Sequence, residues 1–84
     1  MYLNVLIVDD CENDALLIVR ELRKGGYEPQ YQIVETSEGL QAALEAGHWQ
    51  LVITDHNMPG FDSSDVLGFV RSRAIDTPVI IVSG

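Results

Sequence analysis

Three short runs, Val5-Leu6-Ile7-Val8, Leu51-Val52-Ile53 and Val79-Ile80-Ile81-Val82, are almost wholly apolar and mostly β-branched. A strand with one wet face alternates apolar and polar residues. These runs do not, so both of their faces are predicted to be covered. Strands covered on both faces belong to parallel sheets, whose connections are helical crossovers. The intervening sequence supplies the helices. Between Glu12 and Lys24, Ala15, Ile18, Val19 and Leu22 fall at i, i+3, i+4 and i+7, one apolar stripe. Gly25-Gly26 stops that helix, and Arg23 and Lys24 stand in its last turn, where cations suit the dipole. A weaker, alternating strand is predicted around Tyr31 to Glu35, at an edge of the sheet. Ser37 is the predicted cap of a second helix, which carries Leu40, Ala43 and Leu44 and stops at Gly47. Ser63 or Ser64 is predicted to cap a third, running to about Arg73 with Val66, Leu67, Val70 and Phe69 inward. Thr77-Pro78 opens the last strand, where proline loses no ladder bond.

The order is therefore β-α-β-α-β-α-β, an α/β doubly wound parallel sheet with helices on both faces. Ligands bind such sheets beyond the carboxyl ends of the strands. Here those ends carry Asp9, Asp10, Asp55 and Ser83. Eighty-four residues without repeat, low-complexity tract or linker make one domain. Thirteen acids against five Lys and Arg give a net charge of −8, which argues against unassisted binding to nucleic-acid phosphates or anionic lipid. The single cysteine, Cys11, excludes an internal disulfide and a CxxC site. No apolar run approaches the ~18 residues of a membrane span, so a soluble cytoplasmic domain is expected.

Three carboxylates gathered in one crevice repel each other, and the pKa of at least one is expected to rise. A hard divalent cation relieves that repulsion, and oxygen-only ligands with room for water suit Mg²⁺. Asp9, Asp10 and Asp55 thus read as a Mg²⁺ site with open positions that a phosphoryl group can fill. A carboxylate in such a site can itself be the nucleophile and form an aspartyl phosphate.

Val-Asp-Asp after the first strand, Thr-Asp-His-Asn-Met-Pro-Gly-Phe-Asp after the third, and Pro-Val-Ile-Ile-Val-Ser-Gly at the last resemble the receiver domain of two-component response regulators. The resemblance covers all 84 residues in order and spacing. It implies a flavodoxin-like sheet of strand order 2-1-3-4. It further implies Asp55 as phospho-acceptor, Mg²⁺ on Asp9, Asp10 and Asp55, and a backbone carbonyl of Asn57 completing the metal shell. Met58-Pro59-Gly60 matches the turn beyond the acceptor, and Ser83 the switch hydroxyl that moves toward the phosphoryl group. The implied function is a phosphorelay switch rather than a turnover enzyme, Mg²⁺-dependent and phosphorylated by a sensor histidine kinase or phosphotransfer protein. The family's fifth strand with its lysine, and its last helices, have no counterpart in these residues. The fourth strand is then an apolar edge, and the expectation is either a homodimer through that edge or a chain that is a piece of a longer protein. The alternative reading is a pseudo-receiver that binds partners without phosphorylation. A Mg²⁺ phosphohydrolase ranks last, because Asp-His-Asn lacks a second acid two residues after Asp55.

Other residues have plainer readings. His56 is adjacent to Asp55 along a strand and is expected on the opposite face, neither base nor ligand. His48-Trp49 reads as packing, and Cys11 as an inert first-turn residue. Glu12, Asp14 and Glu21 read as a solvated helix face, and Asp62 and Asp65 as first-turn charges.

Overall fold

Val5, Leu6, Ile7 and Val8 are all fully buried, as an unbroken apolar run predicts for a central strand. The computed structural model describes residues 2–56, 62–73 and 76–82 of the chain. Within them the elements are β1 (Tyr2–Val8), α1 (Glu12–Lys24), β2 (Glu28–Val34), α2 (Ser37–Ala46), β3 (Leu51–Asp55), α3 (Ser63–Arg73) and β4 (Val79–Val82). The strands form one parallel sheet in the order β2-β1-β3-β4, the predicted flavodoxin-like arrangement.

Alternation along β1 divides the core. Leu6 and Val8 pack with Val52, Leu40, Leu44, Val66 and Val70 under α2 and α3. Val5 and Ile7 pack with Ile53, Ala15 and Val19 under α1. Helices therefore cover both faces. β2 is longer than the predicted Tyr31 to Glu35, because its register with β1 runs from Tyr2↔Glu28 to Val8↔Val34. Pro29 is tolerated within it because β2 pairs on one side only, at the sheet edge. β4 also pairs on one side, with β3, and leaves Ile80 and Ile81 47% and 44% exposed.

Both predicted serine caps are corrected. Thr36, not Ser37, caps α2: in extended conformation, its Oγ1 accepts from the Gly39 N–H at 3.0 Å. Asp62 caps α3 in place of Ser63 or Ser64. Its Oδ1 accepts from Ser64 N–H at 3.0 Å and Asp65 N–H at 3.2 Å. Asp65 Oδ2 accepts in return from the Asp62 N–H at 3.0 Å, a reciprocal box. An ionised carboxylate takes two orphan donors and suits the positive helix end, which a serine hydroxyl cannot match. Ser63 is instead buried inside the first turn.

Candidate functional site

β1 and β3 run parallel with Val5↔Leu51 and Val8↔Thr54 in register. One step beyond the last pair, the same register sets Asp9 opposite Asp55. By alternation both side chains follow Val5, Ile7, Leu51 and Ile53 onto the α1 side of the sheet. Asp9 stays attached to the sheet, its N–H donating to the Val34 carbonyl at 3.0 Å. On the other flank, Asp55 lies opposite Val82 of β4, and the next N–H, of His56, donates to the Val82 carbonyl at 3.0 Å. All four strands thus fix the acidic corner.

Asp9, Asp10 and Asp55 each offer a carboxylate oxygen, all within 4.8 Å of one another. Asp9 is buried at 3% exposure, Asp55 is half-buried and Asp10 exposed. The Asp-Asp pair does not cap α1: Cys11 is the N-cap and no side chain accepts there. Instead Asp9 Oδ1 accepts from the Cys11 N–H at 2.9 Å, which orients the carboxylate. Burial is the largest influence on Asp9 and raises its pKa above the usual carboxylate value. The Cys11 bond lowers it, and the charges of Asp55, Asp14 and Asp10 raise it further. The crowding read from the sequence is real, but desolvation outweighs it.

This raised pKa makes a prediction for the metal-free chain. The folded state holds the Asp9 proton more tightly than the unfolded state does. Stability from this group therefore rises as pH falls from the raised value toward the ordinary one, and the full penalty applies above that window. Asp9→Asn keeps an oxygen for the Cys11 N–H and is expected to raise the metal-free Tm at neutral pH. It should also flatten this part of the pH profile. A lowered Tm in EDTA at neutral pH would show that the charged carboxylate is stabilising instead.

Three oxygens, two from the residues that follow β1 and one from the end of β3, fit a small cation. Mg²⁺ sits about 2.1 Å from each ligand, so its ligand oxygens lie about 3 to 4.2 Å apart. Shifts of under about 1 Å, or one bridging water at the exposed Asp10, would close the cluster onto it.

The other sequence-predicted residues divide as follows. Asn57, Ser83 and the Met58-Pro59-Gly60 turn lie outside the described residues. His56 stands outside the carboxylate cluster, and its Nδ1 meets the Ser63 Oγ at 3.1 Å, bridging the end of β3 to the start of α3. Trp49 packs against the α2–α3 core and donates Nε1–H to the Ala43 carbonyl at 2.9 Å, a packing role as read. Cys11 is exposed. No helix among the described residues is long and apolar enough to cross a membrane.

Two cavities open on the acids. One of about 480 Å³ is lined by Asp9, Asp10, Glu12, Ile33 and Glu35. The other, about 240 Å³, is lined by Asp9, Asp14, Leu17, Ile18, Asp55 and Val82. Asp14, read as part of a solvated face, therefore also lines a cavity with Asp55. The available signal was its spacing: it precedes Leu17 and Ile18 by three and four residues and so shares their side of α1.

The sequence pattern of the response regulator receiver domain matches residues 5–84. The chain belongs to that family. This receiver domain is 33% identical over 79 residues to the sensor protein EvgS of Escherichia coli, covering 92% of the chain and 6% of EvgS. It is 38% identical over 80 residues to the transcriptional regulatory protein YkoG of Bacillus subtilis, covering 95% of the chain and 34% of YkoG. The response regulator TrrA of Thermotoga maritima, solved in complex with Mg²⁺-BeF, superposes with a TM-score of 0.80 at 32% identity. That match covers 95% of this chain and 68% of TrrA. TrrA in complex with the histidine kinase ThkA gives a TM-score of 0.78 at 32% identity, covering 96% and 68%. The receiver domain thus spans a small part of the first two relatives, well under two thirds of their length.

Proposed function

We propose that this receiver domain accepts a phosphoryl group on Asp55 from a phosphohistidine of a sensor histidine kinase or phosphotransfer protein, and so switches an output in two-component signalling. The convergence of the Asp9, Asp10 and Asp55 oxygens within 4.8 Å carries the reading. The TrrA complexes with Mg²⁺-BeF and with a histidine kinase support the cofactor and the partner.

Asp9, Asp10 and Asp55 would hold Mg²⁺, which when bound neutralises charge on the transferring phosphoryl oxygens. The chain's own residues do the rest. An Asp55 carboxylate oxygen attacks phosphorus, the new P–O bond forms, and the P–N bond breaks with its electron pair leaving on the imidazole. If the other ring nitrogen carries a proton, the leaving group departs as neutral imidazole. β1 and β3 hold Asp9 and Asp55 in register, so little reorganisation is needed. The chain is consumed stoichiometrically and turns over no free substrate.

The test is incubation of the full chain with a small phosphoryl donor and Mg²⁺, followed by intact mass. One phosphoryl adduct is expected, lost when EDTA replaces the metal. No adduct with any donor would overturn the reading.

A further inference from the structure

We propose that Asp14 selects the phosphoryl donor: its carboxylate, on the rim of the cavity shared with Asp55, disfavours donors whose leaving group departs as an anion and favours those that depart neutral. The inference rests on Asp55 as acceptor and adds which donor class the site takes.

The cavity has two kinds of wall. Leu17, Ile18 and Val82 are apolar, while Asp9, Asp14 and Asp55 are acidic. No lysine or arginine is among its lining residues, and Asp14 pairs with no cation among the described residues. The cluster oxygens within 4.8 Å are those of Asp9, Asp10 and Asp55, so Asp14 stands outside the group that would hold the metal. Its charge nevertheless reaches Asp9, where it opposes ionisation. An anion moving through this cavity therefore meets a negative rim beside apolar walls, where screening by water is incomplete.

Donors differ in the charge that leaves. With acetyl phosphate the acyl C–O–P bridge breaks at phosphorus, the electron pair stays on oxygen, and acetate departs as an anion. With phosphoramidate the P–N bond of an ammonium–phosphoryl zwitterion breaks, and neutral ammonia departs. A phosphohistidine with its second ring nitrogen protonated resembles the latter, releasing neutral imidazole. The phosphoryl group transferred to Asp55 is the same in each case, so the ratio of rates isolates the leaving group.

Unit charges ~7 Å apart at effective dielectrics of about 40 to 80 change a rate by about three- to sevenfold. In Asp14→Asn, the ratio of acetyl phosphate to phosphoramidate rates is therefore expected to rise about three- to sevenfold at low ionic strength. The rise should largely vanish near 1 M salt, where the screening length is ~3 Å. Glu28→Gln, the same charge change at the amino end of β2, should leave the ratio unchanged. Equal changes with both donors, or a ratio shift insensitive to salt, would overturn the selector role while leaving Asp55 as acceptor. Absence of any adduct in the parent chain would instead overturn the underlying reading, and the selector with it.

Discussion

Asp55→Asn is expected to abolish phosphoryl incorporation, by ~10³-fold or more in rate, while leaving the fold intact. An amide oxygen carries no charge and is a poor nucleophile, so the covalent step has no substitute at this position. Neighbouring carboxylates do not rescue it. Asp9 is 3% exposed and its Oδ1 is held by the Cys11 N–H at 2.9 Å, which leaves it poorly placed to reach an incoming phosphorus. The substitution removes one of the charges that oppose Asp9 ionisation, so the metal-free Tm should stay level or rise. That outcome separates lost chemistry from lost structure. A variant that is folded and still labelled at the parent rate would place the acceptor elsewhere.

The second large effect is on stability. Leu6 is fully buried, in the centre of β1 and within the cluster of Val8, Leu40, Val52 and Val66. Leu6→Ala removes three heavy atoms from a packed site flanked by β2 and β3, which can collapse little. The cost is expected at about 3 kcal/mol, from a total of about 4 to 12 kcal/mol for a domain of this size. Tm should fall by about 15 °C or more. Leu17→Ala, at a position 56% exposed, should shift Tm by only a few degrees. If thermal melts show the two variants equally affected, the assignment of Leu6 to the sealed core and Leu17 to the exposed side of α1 is wrong.

Much of the fold is legible in the residues because one physical rule dominates it. Uninterrupted β-branched runs must be covered on both faces, and helical stripes between them supply the cover. That rule places β1, β3 and β4 and their helices, and it brings the strand-end acids to one corner. It fails where the deciding partner is a matter of one residue or is distant in sequence. Thr36 and Asp62 displace the predicted serines because a cap is chosen by which side chain sits just before the first turn. β2 gains Glu28 to Gln30 through pairing with β1, a contact that no local pattern encodes. Asp14 looks solvated from its own helix, and only β3 and β4 reveal what stands across from it. Asn57 and Ser83, assigned through the resemblance, rest on sequence alone.

An acidic rim is unhelpful to a general acceptor of small anionic phosphates, and better suited to a donor that leaves without charge. On these proposals the net charge of −8 would act twice, gathering a cation at the strand ends and setting a preference among donors.

The most direct measurement is to locate the phosphoryl group chemically. The chain is labelled with phosphoramidate and Mg²⁺, the acyl phosphate reduced with borohydride, and the modified residue identified by peptide mass spectrometry. Reduction at Asp55 alone is the predicted result. Modification at Asp9, at Asp10 or at a histidine, with Asp55 untouched, would contradict it.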